Sequence, residues 1–335
     1  MVSKVRWGIV GPGRIADSEI APAINASPQG VLHAVVSRDQ ARADAFAARH
    51  SAARALTSFD ELLADPQVDA VYIATPNAQH AGQVVAAARA GKQVMCDKPL
   101  ALSVADARRA VAACEQAGVR LGITFQTRFH DNFGRLRQVI QDGTLGDIRV
   151  VQVEMSSGRT LLKGWRTDPA LAGFGTINNI GVHAFDLIRY LLGAEVTEVT
   201  ALTGHEDGLD PETLALVLLR YGTGALAYVN VNQSAAFPQA DITVYGTKGR
   251  VAGRSCTRMN MTGTLSIVTG DGETTVETAS FGAYSGAVTA FEEAVTAGRE
   301  PSPSGLDGLR SVELTAAIAE AVAAGRTITV SPSGA

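Results

Sequence analysis

The feature that most restricts how this chain can fold is a six-residue apolar run, residues 5–10, that enters Gly11-Pro12-Gly13-Arg14-Ile15-Ala16 and then becomes helical. A G-x-G-x-x-A segment between a strand and a helix has one well-understood use. Gly11 allows the tight turn and Gly13 lets the backbone approach a pyrophosphate. Ala16 lets the helix pack closely on a sheet, and the first helical amides, at Arg14 and Ile15, face the phosphates. The chain therefore has to open with a βαβ unit in a parallel sheet.

Residues 31–125 keep that alternation of strand and helix. A second strand over 31–36 ends in Ser37-Arg38-Asp39, where cofactor preference is decided. An acid at this tip binds the ribose diol of NAD, whereas serine and arginine suit the additional phosphate of NADP. Ser37 and Arg38 favour NADP(H) over NAD(H), although Asp39, two residues on, reaches the ribose if the turn bends that way. Helices over 41–50 and 59–64 flank a short segment near Ala55. A strand over 69–74 runs into Thr75-Pro76-Asn77-Ala78-Gln79-His80, small and polar residues suited to a dinucleotide lying across strand ends; His80 begins or caps the helix 81–90. The strand 93–96 then stops abruptly in Asp97-Lys98-Pro99. A lysine desolvated at a strand end can have its pKa lowered enough to exchange a proton near neutrality, while an exposed one cannot. A helix over 103–117 and a strand over 120–125 complete a doubly wound, dinucleotide-binding Rossmann domain over 1–125, with Gln126 at its boundary as a further candidate cofactor contact.

At 335 residues the chain is too long for one ordinary core, so a second domain over 126–335 is expected. Its net charge of −4, without any lysine or arginine cluster, argues against nucleic acid or an anionic membrane as partner. Cys96, Cys114 and Cys256 are widely spaced and odd in number, which fits buried thiols in a reducing compartment. With no signal-peptide pattern or membrane span, the expected location is cytoplasmic.

In that second part a helix over 132–141 and an alternating strand over 149–155 precede the stretch Gly173 to Asp186. Val182, Phe185, Ile188, Leu191 and Leu192 have helical period up to Gly193. Asn179 and His183, four apart, then share a helix face, and Asp186 stands three beyond His183, where it could hold the imidazole. Trp165 and Arg166 lie in a preceding loop that could fold over a nicotinamide; an anchoring aromatic and a surface charge are the plainer alternative. Strands then succeed one another to about residue 268, which implies an α+β domain with a large, mostly antiparallel sheet. The sheet's far face would need cover and is expected to be a subunit interface. Tyr284, ahead of a helix over 287–297, could reach a substrate or simply pack in the core. A closing helix over 306–324 reads as structural.

The ordered set Gly11 to Ala16, Ala74-Thr75-Pro76-Asn77 with His80, Asp97-Lys98-Pro99 and Gly173 to Asp186 resembles the glucose-fructose oxidoreductase, inositol dehydrogenase and rhizopine-catabolism (Gfo/Idh/MocA) family over essentially the whole chain. The resemblance implies a catalytic lysine, Lys98, beside the nicotinamide, with Asp97 replacing the family's usual glutamate. It also implies that His183 joins Lys98 at the substrate oxygen, and that the chain forms a homodimer or homotetramer through the far face of its large sheet. An aspartate usually stands four residues before that histidine; here it is Asn179, whose amide can donate and accept hydrogen bonds but cannot take a proton. The expected activity is a sugar or polyol dehydrogenase or ketosugar reductase using NAD(P), its sugar-like substrate held by Lys98, Asn179, His183 and Tyr284. Alternatives are a lyase or glycosidase acting by transient oxidation, and a non-catalytic cofactor-bound sensor.

Overall fold

The computed structural model describes residues 4–157, 163–206, 209–237, 239–257, 263–278 and 282–331. Two compact units emerge: Met1–Gln126 with Tyr284–Val312, and Thr127–Ala283 with Glu313–Ala335.

In the first unit β1 (Val5–Val10), β2 (Gly30–Val36), β3 (Arg54–Leu56), β4 (Ala70–Ile73), β5 (Gln93–Cys96) and β6 (Leu121–Ile123) form one sheet in the order β3-β2-β1-β4-β5-β6. Every pairing is parallel. The winding reverses between β1 and β4, and in such sheets ligands bind at that point, outside the carboxyl ends of the strands. The strands are apolar throughout because both faces are covered, with Ile9, Val35, Tyr72, Ile73 and Val94 fully buried. Helices start where short polar side chains cap them. Asp39 accepts from Arg42 N ahead of Gln40–His50, and Ser103 accepts from Asp106 N ahead of Val104–Ala117.

Residues 284–312 correct the expected division at residue 126. This segment belongs to the first unit, where it packs against Trp7 of β1 and Gly122 of β6. Phe291 packs on Trp7, ring centroids 5.3 Å apart, and fills the space a Cβ would take at Gly122. Glu292, fully buried, accepts from Trp7 Nε1 at 2.8 Å and from Ser27 Oγ. The Pro303 carbonyl accepts from Ile123 N. Tyr284 therefore sits with the nucleotide-binding sheet and not with the second domain.

The second unit is built on nine strands. They are β7 (Ile148–Ser156), β8 (Val196–Gly204), β9 (Leu214–Tyr221), β10 (Leu226–Asn232), β11 (Ile242–Gly246), β12 (Gly249–Arg254), β13 (Gly263–Thr269), β14 (Gly272–Thr278) and β15 (Ile328–Thr329), in the order β14-β13-β12-β11-β7-β10-β9-β8-β15. Only β7 and β10 pair in parallel; the rest are antiparallel, as expected for an α+β domain. Alternation decides which side is core. Ala215, Val217, Leu219 and Tyr221 of β9 point in, toward Phe133, Leu136, Leu187 and Ile188 from the helices Asp131–Gln141 and Val182–Leu192, while Leu216 and Leu218 point out. The strand β14 was not expected, since Gly-Glu-Thr-Thr-Val-Glu-Thr lies at an edge and has no apolar run to announce it. No described helix is long and apolar enough to cross a membrane. The three cysteines are all buried and free, and burial pushes the Cys114 and Cys256 thiols up to about 12.

Candidate functional site

In the first unit the glycine turn comes directly after β1. Gly11 has φ +87°, and a Cβ there would stand 2.9 Å from the Ala74 carbonyl oxygen. Gly13 is different: a Cβ would meet nothing within 4 Å, so its backbone opens onto free space. The helical backbone that begins at Arg14 has one π turn, Ala16–Ile20, and Ala16 and Ile20 are fully buried against the sheet. A cleft of about 280 Å³ beside this turn is lined by Pro12, Gly13, Arg14, Asp17, Arg42 and Arg49. Asp17 accepts from His50 and Arg49, which hold its carboxyl below the usual range.

At the tip of β2, Ser37 is buried and Arg38 exposed. Asp39 is engaged as a helix cap, Oδ1 accepting from Arg42 N at 3.1 Å. Arg42, which sequence reasoning passed over, donates from Nη2 to the Pro12 carbonyl at 2.9 Å, bringing a second guanidinium to the glycine turn. Its signal was its place on the first turn of the helix after Ser37, where a side chain can reach back over the neighbouring loop.

The loops after β4, β5 and β6 stand along the same edge of the sheet. Thr75 Oγ1 donates to Gln83 at 2.6 Å, Pro76 is half-buried and Asn77 is buried. His80, also buried, has Nε2 2.8 Å from the Thr75 carbonyl oxygen and Nδ1 2.7 Å from that of Pro99. The ring thus bridges the loop carrying Thr75 to the loop carrying Lys98, a positioning role. Asp97 and Lys98 are half-buried, and Asp97 Oδ1 accepts from the Lys98 backbone N–H at 2.9 Å. Gln126 is buried, and among the described residues its Oε1 has no hydrogen-bond partner. Tyr284 is buried as well; burial drives its phenol well above the ordinary value, with Asp97 and Glu19 adding to the effect and Arg14 opposing it. Arg14 and Glu19 belong to the helix that follows the glycine turn, and Asp97 to the lysine loop.

The residues fit a dinucleotide: an open Gly13 backbone, a helix N-terminus, and beyond the end of β6 a buried side-chain carbonyl at Gln126 that is unsatisfied among the described residues.

In the second unit the helix carrying His183 begins at Thr176 and passes through a π turn, Ile177–Gly181, before continuing as Val182–Leu192. Asn179 and His183 are half-buried, one turn apart. The helix start is set by Glu212, another residue the sequence did not reveal. Its buried carboxylate accepts from Gly175 N and Ile177 N, each at 2.8 Å, and its backbone carbonyl accepts from Thr176 N. Gly175 is required there, since a Cβ would stand 2.1 Å from the Glu212 carbonyl oxygen. Asp186 accepts from Arg128 through both oxygens, at 2.8 and 2.5 Å. The two form a buried ion pair that ties the helix carrying His183 to the segment before Asp131–Gln141. Trp165 and Arg166 lie in a short 3-10 turn, Gly164–Thr167, with the guanidinium 4.3 Å from the centre of the indole ring.

Residues 5–125 match the model of an oxidoreductase family with NAD-binding Rossmann fold, and residues 133–252 match the GFO/IDH/MocA C-terminal domain. The 1,5-anhydro-D-fructose reductase of Ensifer adhaerens is 32% identical over 327 residues, covering 96% of this chain and 97% of that one. The structure of an aldose-aldose oxidoreductase from Caulobacter crescentus, complexed with glycerol, superposes with a TM-score of 0.91 at 30% identity, covering 97% and 99% of the two chains. A 3-ketoreductase from Actinomadura kijaniata, in complex with NADP and TDP-benzene, superposes at 0.87 with 25% identity, covering 96% and 98%.

Proposed function

Because this chain belongs to the Gfo/Idh/MocA family of oxidoreductases, we propose that it moves a hydride between a nicotinamide dinucleotide and a carbinol or carbonyl carbon of a sugar or sugar derivative, with Lys98 and His183 handling the proton. The observation that carries the reading is the row of strand ends in the first unit. The lysine loop after β5 stands on the same edge as the glycine turn after β1, at the reversal of winding.

A nicotinamide, when bound, supplies or accepts the hydride. The chain's own work is to hold the partners and to move the proton. The ammonium of Lys98 and the imidazole of His183 are the two groups suited to give or take it at the substrate oxygen, a contribution of about 10²- to 10⁴-fold. Gly13, Arg14 and Ile15 would hold the pyrophosphate, and Gln126 the polar end of the nicotinamide, with Thr75, Pro76 and Asn77 beneath the dinucleotide. Trp165 and Arg166 would flank it, and Asn179 and Tyr284 would contact the sugar. NADP(H) is favoured over NAD(H), because Asp39 is committed to its helix cap while Ser37, Arg38 and Arg42 can meet a phosphate. The NADP complex of the 3-ketoreductase is in keeping with this. We further propose a cytoplasmic homodimer or homotetramer joined through the outward face of the nine-stranded sheet.

A panel of sugars and ketosugars, 1,5-anhydro-D-fructose among them, monitored by nicotinamide absorbance with NADPH and NADH side by side, tests the reading. Turnover with NADPH is expected, and Lys98→Ala should lose about 10²- to 10⁴-fold in kcat while binding NADPH almost as well as the parent. Undiminished turnover in that variant would refute the role of Lys98. Product formed without any net change in absorbance would point instead to transient oxidation.

A further inference from the structure

Asn179 is held by something other than its own helix. Its Nδ2 donates to Gln233 Oε1 at 3.2 Å, and Gln233 Nε2 donates onward to Ser157 Oγ at 3.1 Å. Gln233 is fully buried just beyond the end of β10, and its backbone N–H donates to the Thr213 carbonyl at 2.8 Å. Thr213 adjoins Glu212, the residue that caps the helix start at Gly175, Thr176 and Ile177. One dipeptide thus pins both the backbone of Gln233 and the helix turn that presents Asn179, while the side-chain amide of Gln233 is held between Asn179 and Ser157.

A planar amide held in this way has a direction. With Oε1 toward position 179 and Nε2 toward Ser157, Gln233 accepts from the side-chain NH₂ of Asn179 and passes the chain of hydrogen bonds on to Ser157. We infer that Gln233 is a positioning residue that fixes the side chain at position 179 where it meets the substrate. The substrate half of this inference rests on the sugar-oxidoreductase reading above; the relay itself does not. The Ser157 hydroxyl can donate as well as accept, so a carboxylate at 179 is also compatible with Gln233, provided the amide turns over and presents Nε2. Carboxylates at both 179 and 233 are not compatible, because two buried anions would face each other.

The test is a four-protein cycle, the parent with Asn179→Asp, Gln233→Glu and both together, plus Gln233→Leu. Melting temperatures are measured at pH 8 and pH 5, with kcat and KM for NADPH and 1,5-anhydro-D-fructose. Each single acid should melt within about 3 °C of the parent. The double variant should fall at least about 5 °C below the sum of the singles at pH 8 and recover much of that at pH 5, as the pair takes up a proton. Glu212 and His183, on the segments that carry the relay, are common to all four and cancel. Gln233→Leu should raise KM about threefold to tenfold with kcat little changed, and Gln233→Glu, which still accepts from Asn179, should restore it. Additive melting effects, or an unchanged KM in Gln233→Leu, would overturn the assignment. If the parent reduces no sugar with either cofactor, the sugar-oxidoreductase reading fails together with the substrate half of the inference, and the melting cycle alone decides the relay.

Discussion

Gly11 and Gly13 are glycines for two different reasons, and substitution should separate them. Gly11 has a backbone conformation that L side chains rarely adopt and lies close to the Ala74 carbonyl, so Gly11→Ala should cost about 1–3 kcal/mol of stability. Gly13→Ala meets no protein atom and should melt within about 1 °C of the parent. It should nonetheless weaken NADPH about tenfold or more, because a methyl would occupy the approach to the pyrophosphate. Calorimetry paired with a cofactor titration checks both; a Gly13→Ala protein with full NADPH affinity would contradict the placement of the phosphates. These glycines were legible in sequence because their requirement is local. The pairing of Asp186 with Arg128 was not, since the two lie 58 positions apart and nothing around Asp186 announces the arginine. Glu212 and Gln233 escaped for the same reason.

Among the elements, the helix Ala283–Thr296 shows how much a single buried carboxyl can fix. Glu292 joins this helix to the first strand through Trp7 and to Ser27, and burial raises its carboxyl above the ordinary range despite those two donors. Folding therefore favours its protonated form. The stability this group contributes is fully present below its unfolded value and is lost as pH rises through its folded value. Glu292→Gln cannot titrate, so its melting temperature relative to the parent should climb with pH from about 4 to 8; a flat difference would show that the carboxyl does not titrate in the fold. Glu292→Ala strands the Trp7 N–H and leaves a void, at a cost of about 2–4 kcal/mol, readable in the Trp7 fluorescence melt. Sequence periodicity identified this helix and most strands to within a few residues. It could not say which sheet the helix covers, because an apolar stripe carries no address. The edge strand β14, polar at most positions, gave no pattern to read.

At the scale of the whole molecule, the nine-stranded sheet leaves an unusual outer face. Leu202 is 71% and Leu218 55% exposed, with Leu226 and Tyr245 on neighbouring strands also open to solvent. If a second copy covers this face, light scattering should give two or four times the 34.8 kDa chain mass, and Leu218→Glu should shift the population toward single chains. A parent protein that runs at 34.8 kDa at micromolar concentration would sink the proposed assembly. Length alone announced two domains, and the glycine turn announced the first of them. The return of the chain was hidden, because residues 284–312 read as ordinary helix and loop until their contacts with Trp7, Gly122 and Ile123 are seen.

That return has a consequence for how the protein is made. A ribosome delivers the six parallel strands early, yet Trp7 and the bare surface at Gly122 wait until Phe291 and Glu292 have been translated. The nucleotide-binding half is thus the first begun and among the last finished, and a nascent chain released at residue 126 would carry its glycine turn on a sheet with all six strands but part of its cover missing.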